Sequence, residues 1–323
     1  MNLELVEKIA EAVLYEGYML YPYRPSAVKN QRRFNFGVLV PQSYSEAQAP
    51  GTENWRMQTE YLVLGDQNAS IEVKVRFLHL RERETNGTRW QEAVEREVNA
   101  PSLQLSELIA QSYRMPVFFS SAQEEEFVRD AHGEVTGRIV RRQEAIGGAV
   151  EISAARVGER LHRVTACILN LTPMEDAAAR SRDEALMHSL VSTHTILGAY
   201  GAEFVSLLDP PEEFREAAAG CRNIGAWPVL VGEEGERDLM LSSPIILYDY
   251  PQIAPESAGD LFDGTEIDEI LLLRILTLTD EEKREMRGAD ERARQLLERV
   301  ETLPEEQLMK LHGALRSPRP LER

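Results

Sequence analysis

The chain has 323 residues, of which 43% are hydrophobic and 28% charged, and it carries a formal net charge of −18. This composition is typical of a soluble globular protein and is too apolar for a disordered one. Because nucleic-acid phosphates are neutralised by clustered Lys and Arg, so acidic a chain is not expected to bind nucleic acid. No apolar run approaches the ~20 residues that cross a membrane, so no membrane span is predicted.

The cysteine content and the first residues bear on the compartment. Cys167 and Cys221 are too few for a disulfide framework or a cysteine-rich metal site. The first residues lack the basic and apolar regions of a secretory signal. We therefore expect a cytoplasmic protein whose thiols are reduced.

Hydrophobic periodicity predicts the first elements of the chain. Residues 3–14 have apolar side chains at helical spacing and predict an amphipathic helix. Residues 34–41 and 57–65 alternate between apolar and polar side chains, as strands do, and a polar loop is predicted between them.

A hairpin is predicted across Asn86 and Gly87, because this pair favours the positive φ angles of a type I′ turn. A two-residue loop fixes the register of the strands on either side of it. Three of the resulting cross-strand pairs have opposite charges and one allows a cation–π contact, so the side chains favour this register. The predicted pairs are Glu84–Arg89, Arg83–Trp90, Arg81–Glu92, Phe77–Arg96, Arg76–Glu97 and Val75–Val98.

Further strands and short helices are predicted along the rest of the chain. A second hairpin turns at Gly158 and Glu159, between two runs that are rich in β-branched residues. A glycine-containing turn within residues 198–201 is predicted to separate two more strands. The remaining predicted strands are 227–232, 238–243 and 244–250, and the remaining predicted helices are 103–112, 211–219 and four stretches between 266 and 315.

The order of these elements predicts the fold class. Many short antiparallel runs with few long helices between them favour a sandwich-like sheet over a βαβ fold. The predicted class is α+β, with a mainly antiparallel β-sandwich-like body, an N-terminal helix and a helical C-terminal segment. The predicted domains are an N-terminal helix with a Tyr/Pro/Arg segment over 1–30, the β-rich body over 31–255 and the helical segment over 256–323.

The histidines and cysteines form no catalytic or metal-ligand motif. His188 and His194 lie six residues apart in one predicted strand, which separates them by roughly 20 Å, too far for joint coordination. His162 and Cys167 lie five residues apart in another predicted strand, so their side chains are expected to point to opposite faces of the sheet. Cys221 lies in a Gly-Cys-Arg context that can lower a thiol pKa, although small buried fillers are more common there.

The glycines and carboxylates do not indicate a phosphate-binding loop, a metal site or a catalytic site either. Gly147 and Gly148 lack the spacing of a phosphate-binding loop. Closely spaced carboxylates between residues 263 and 269 suit the N-terminus of a predicted helix. We therefore predict no catalytic residue, no metal ligand and no cofactor.

The segment from Tyr15 to Pro41 differs most from its surroundings, because it places four tyrosines, three prolines and a basic cluster in an acidic chain. Tyrosine and arginine carry much of the binding energy of protein interfaces. Alternatively, the tyrosines pack the first helix onto the sheet while the arginines pair with the acidic body. The predicted partner-binding residues are Tyr18, Tyr21, Tyr23, Arg24, Lys29, Arg32 and Arg33.

Three segments of the sequence resemble one protein family. They are YEGYMLYPYRPSAVKNQRRFNFGVLVP, SLVSTHTIL with FVSLLDPP, and FDGTEIDEILLLRILTLTDEEKREMR, between residues 15 and 287. The family is an uncharacterised accessory-protein family found in gene clusters of actinobacterial-type (high-affinity) uptake [NiFe]-hydrogenases. The resemblance implies a cytoplasmic accessory protein for making or assembling that hydrogenase, and it supplies no catalytic residues.

The expected function is a non-enzymatic assembly or maturation factor that binds a protein client, such as a hydrogenase subunit or a maturation protein. Two alternatives remain open. The chain is an enzyme whose site is assembled from scattered residues in a cleft between the sheet and the C-terminal helices, or it is a structural subunit of the mature complex.

Overall fold

The computed structural model divides into two compact units. The first unit is Met1–Tyr15 with Phe34–Pro251, and the second is Glu16–Arg33 with Gln252–Arg323. The structure describes residues 3–16, 18, 23, 24, 27, 30, 36–85, 88–129, 132–252, 268–289 and 291–304.

The first unit contains all eleven strands of the described sheet. The strands are β1 (Arg56–Thr85), β2 (Thr88–Asn99), β3 (Leu103–Gln104), β4 (Tyr113–Phe119), β5 (Ala122–Arg129), β6 (Val135–Gln143), β7 (Ile146–Arg156), β8 (Leu161–Asn170), β9 (Leu190–Val205), β10 (Trp227–Leu230) and β11 (Leu239–Ser243). Its helices are α1 (Leu3–Tyr15), α2 (Gln42–Ala47), α3 (Leu105–Ala110), α4 (Arg182–Leu186) and α5 (Arg215–Ala219), and its 3₁₀ turns are Ala177–Ala179 and Glu212–Phe214.

Strand β1 organises the sheet, because its 30 residues pair with β2, β3, β6, β8 and β9. The main path of the sheet runs β10-β11-β9-β1-β8-β7-β4, and all the ladders are antiparallel. The odd-numbered apolar side chains of β1 from Met57 to Phe77 are buried in the main core. The alternation that predicted strands in this region therefore describes one long strand with a buried face.

The sheet curls so that strand β4, at one end of its main path, packs over β1. Phe77 on β1 packs edge-on against Phe119 on β4, with 5.6 Å between the ring centroids, although two strands separate β1 from β4 in the sheet. A sheet that folds over its own inner face buries that face as a sandwich does. The predicted fold class, α+β with a mainly antiparallel sandwich-like body, is confirmed.

The predicted register of the first hairpin is also confirmed. Strands β1 and β2 pair Val75 with Val98 and Arg81 with Glu92, as the Asn86-Gly87 turn requires. Strands β7 and β8 pair antiparallel about the predicted second turn.

The predicted turn at 198–201 is wrong, because β9 is continuous and pairs with β1 on both sides of it. Gly201, at a φ of +70°, lies instead at a bulge, where the ladder shifts between Gly65 and Ser70 of β1. Residues 244–250, also predicted as a strand, contain none, since Ser243 hydrogen bonds to Ile245 and turns the chain. Strands β4, β5 and β6 were not predicted.

Helix α1 packs on the sheet of the first unit. Val6, Ile9, Ala10 and Val13 are buried in one cluster with apolar side chains of β9, β10 and β11. The predicted amphipathic helix is therefore confirmed, and its apolar stripe is the face that contacts the sheet.

The described part of the second unit is helical, with α6 (Asp268–Leu276), α7 (Asp280–Ala289) and α8 (Glu291–Glu301). Thr279 and Glu282 form the predicted capping box, in which the Thr279 amide donates to Glu282 over 2.9 Å. Lys283 and Arg287 on α7 both pair with Glu301 on α8. None of the helices in the described part of the chain is long and apolar enough to cross a membrane. The helix predicted over 305–315 lies outside the described residues.

Two adjacent glycines of β7 provide a matched test of strand packing. A Cβ on Gly148 would lie 2.3 Å from the carbonyl oxygen of Leu169, whereas a Cβ on Gly147 would meet no atom within 4 Å. We expect Gly148→Ala to lower the free energy of unfolding by about 1–3 kcal/mol or more, because the neighbouring backbone must move. Gly147→Ala should change it by less than about 0.5 kcal/mol. Urea denaturation of both variants tests this, and equal effects would contradict the packing of β7 against β8.

Candidate functional site

The described residues of the predicted binding segment are largely enclosed. Tyr18 and Tyr23 are buried, and Arg24 forms an ion pair of 3.2 Å with Glu282 in the second unit. The structure does not describe the other predicted binding residues, Tyr21, Lys29, Arg32 and Arg33. The partner-binding role of this segment therefore stays a prediction.

Cys167 and Cys221 are partly buried thiols. Burial raises the pKa of the Cys221 thiol to about 11, and burial also raises the pKa of Cys167. A thiol with a raised pKa is a poor nucleophile at neutral pH, because little of it is thiolate. Within the described ranges, no group of three or more His, Cys, Asp or Glu residues is placed so that it could hold a metal ion.

A cavity of about 440 Å³ opens beside the start of β1. Phe36 and Trp227, each nearly half exposed, lie in its lining with Met57. The charged residues of the lining are Glu53 and Arg182, which pair over 2.7 Å. These two groups neutralise each other, so the cavity offers no unbalanced charge to a ligand.

An arginine cluster lies at the end of the main core, on the same face of the sheet. We define it as the guanidinium groups of Arg81, Arg83 and Arg141, which contact the carboxylate of Glu92, together with that of Arg96, which contacts Gln143. Pairing places Arg83 of β1 directly opposite Arg141 of β6, and Arg81 lies between Glu92 of β2 and Gln143 of β6. Opposed residues in paired strands share a face, so these side chains meet there.

Glu92 is the centre of the cluster. Its Oε2 accepts from the Arg81 Nε at 3.0 Å and from the Arg141 Nε at 3.2 Å, while its Oε1 accepts from Arg83 at 3.4 Å. Only 7% of Glu92 is exposed. Like charges opposed across strands repel, so the buried carboxylate is what allows Arg83 and Arg141 to lie side by side.

The fourth arginine lies behind this group. Arg96 donates to Gln143 over 3.2 Å, and its guanidinium stacks over the ring of Phe119 at 5.1 Å. Burial and the positive charge of Arg81 lower the pKa of Arg96. Its buried Nε has no hydrogen-bond partner among the described residues.

Two glutamates from β5 complete the cluster at its exposed side. Glu126 accepts from Arg141 at 2.8 Å, and Glu124 approaches Arg81 at 3.9 Å. Their side chains are 58% and 67% exposed, unlike that of Glu92. Only one carboxylate of the cluster is therefore buried.

Beyond the cluster, β5 and β6 project as a two-stranded ribbon. Every residue of β5 is exposed, including the apolar Phe127 and Val128, and Val135 of β6, which pairs with Arg129, is also exposed. Among the described strands, β5 hydrogen bonds only to β6, so its outer edge has no ladder partner. Exposed strand edges can pair with an added strand.

The central carboxylate can be tested by its removal. We expect Glu92→Gln to destabilise the fold by about 3–5 kcal/mol, because three guanidinium groups would lose their buried counter-charge. Glu97→Gln is the matched control, since the exposed Glu97 pairs with Lys74 on the same hairpin and should cost at most about 1 kcal/mol. Thermal and urea unfolding measure both, and a mild effect of Glu92→Gln would refute its central role.

Buried His194 predicts a pH-dependent stability. Its Nδ1 lies 3.0 Å from the Ser192 carbonyl oxygen, its Nε2 has no partner among the described residues, and burial lowers its pKa from 6.5 to about 4. The unfolded chain takes up this proton first, so stability is retained above pH 6.5 and falls as the pH drops towards 4. The loss is about 1.4 kcal/mol per pH unit for this histidine.

Urea midpoints measured between pH 7 and pH 4.5 test this slope. His194→Gln should reduce the slope, to which His79 still contributes because burial lowers its pKa to about 4 as well. An unaltered slope in the His194 variant would show that this histidine does not titrate with folding.

Comparison with known proteins assigns no function. No protein-family model matches the chain, and a search of curated proteins finds no match. The residues that bear a functional interpretation are those of the arginine cluster and the ribbon.

Proposed function

We propose that this chain is a non-enzymatic accessory protein that binds a protein client during assembly or maturation of an uptake [NiFe]-hydrogenase. The observation that carries the binding role is the ribbon, whose strand β5 is exposed at every residue and has no partner on its outer edge among the described strands. The hydrogenase context comes from the sequence resemblance.

The ribbon has the properties of a surface for strand addition. An extended client segment could hydrogen bond to the outer edge of β5, while Phe127 and Val128 supply apolar contacts. Charged residues on an edge strand discourage indiscriminate pairing. Glu124, Glu125 and Glu126 supply that charge on β5, which favours a specific partner over self-association.

The other roles predict different behaviour. An enzyme would need reactive groups, and the thiols of Cys167 and Cys221 have raised pKa values. A structural subunit would remain bound in the mature complex, whereas an assembly factor leaves it. The lifetime of the complex therefore separates these two binding roles.

Affinity purification from the native host tests client binding. The tagged protein should retain hydrogenase subunits or maturation proteins without a stoichiometric metal, measured by mass spectrometry and metal analysis of one sample. We expect Phe127→Ser with Val135→Ser to reduce their recovery about tenfold, because exposed apolar contacts are lost. Tyr248→Ser is the control, since Tyr248 is exposed outside the ribbon.

The same assay tests the segment predicted from the sequence. A variant with Arg24, Arg32 and Arg33 changed to Gln should lose clients if that segment is the interface, and it should retain them if the ribbon is. Undiminished recovery with both variants would reject binding at either surface. A lone protein that carries stoichiometric nickel, iron or zinc would favour an enzyme or metal carrier.

A further inference from the structure

The arginine cluster concentrates positive charge in an acidic protein. Four guanidinium groups lie on one face of the sheet, in a chain whose formal net charge is −18. Among the described residues, the buried carboxylate that contacts Arg81, Arg83 and Arg141 is that of Glu92. The other two carboxylates that contact the cluster, those of Glu124 and Glu126, are mostly exposed.

The hydrogen bonds of the cluster leave donors available for a ligand. A guanidinium has five N–H donors, and Arg81 and Arg141 share one oxygen of Glu92. Their other contacts go to Glu124 and Glu126, which are mostly exposed. The buried Nε of Arg96 has no acceptor among the described residues.

We propose that the arginine cluster is a binding site for an oxyanion, a carboxylate or phosphate group, which Arg81 and Arg141 hold by displacing the side chains of Glu124 and Glu126. The side chains of Arg81 and Arg141 are 27% and 19% exposed, so solvent reaches both of them. Planar guanidinium forks match the paired oxygens of carboxylate and phosphate groups.

Displacement of the two glutamates costs little. Exposed ion pairs contribute about 0–1 kcal/mol each, because water screens them and long side chains lose freedom when they pair. Glu92 is buried and stays in place, where it keeps the guanidinium groups together. The exposed glutamates occupy the site until an oxyanion with better-placed oxygens replaces them.

Direct titration tests the site on the full-length protein. Arginine Nε–H signals in ¹⁵N NMR spectra would be followed as inorganic phosphate or citrate is added at constant ionic strength. We expect a saturable shift that Arg141→Gln weakens about tenfold or more, as the loss of a charge-assisted hydrogen bond predicts. Arg142→Gln is the matched control, because Arg142 adjoins it on β6 but pairs with Glu82 and Glu84 on the opposite face.

A second variant is expected to increase oxyanion affinity and keeps all four arginines. Glu124→Gln with Glu126→Gln removes the competing carboxylates, so the oxyanion should bind several-fold more tightly. Both residues are exposed, and circular dichroism would verify the fold. Unchanged or weaker binding by this variant would overturn the proposal, as would a shift equally sensitive to Arg141→Gln and Arg142→Gln.

The two ligands identify the group that is recognised. Saturation by citrate alone would assign a carboxylate site, and saturation by phosphate alone would assign a phosphate site. Failure of both to saturate would reject the oxyanion site. Client binding at the ribbon is tested separately by affinity purification. Failure of the oxyanion site would therefore not reject the proposed accessory function.

Discussion

The pairing of β1 is the constraint on which the rest of the structure depends. A strand of 30 residues carries backbone donors and acceptors along both edges, and they must be paired wherever they are buried. One edge pairs first with β8 and then with β2, and the other pairs with β9 and then with β6. Because partners change along β1, strand β4, which joins its first half through β7 and β8, can pack over its second half, where Phe77 contacts Phe119.

Side chains alternate between the two faces of β1, so one face of this strand forms both the apolar core and the charged cluster at its end. Odd-numbered side chains share one face, which is apolar as far as Phe77 and then continues through His79 to Arg81 and Arg83. The apolar core and the arginine cluster therefore lie on one face of the same strand, and the cluster needs no separate domain. Arginines on a paired strand project from a backbone that the ladder holds in place, which limits the ordering needed when an anion binds.

Local patterns were enough for elements whose determinants are adjacent in sequence. The Asn86-Gly87 pair and its flanking charges fixed the β1–β2 register, and Thr279 with Glu282 marked a helix start. Local patterns could not predict which strands, distant in sequence, pair with each other. The glycines at 198–201 look like a turn until a continuous β1 is present to pair with β9. Three of the four arginines of the cluster lie on the predicted hairpin, but Arg141 joins them only because β6 pairs with the end of β1.

The ribbon and the arginine cluster share residues, so the two proposed binding events cannot be independent. Strand β5 reaches the sheet only through β6 among the described strands, and Glu124 and Glu126 on β5 contact the cluster. An oxyanion that displaces these glutamates would release charged side chains onto the strand that a client is proposed to pair with. Whatever the sign of this coupling, linkage requires that the client change oxyanion affinity by the factor by which the oxyanion changes client affinity. The exposed glutamates are the physical connection between the two sites.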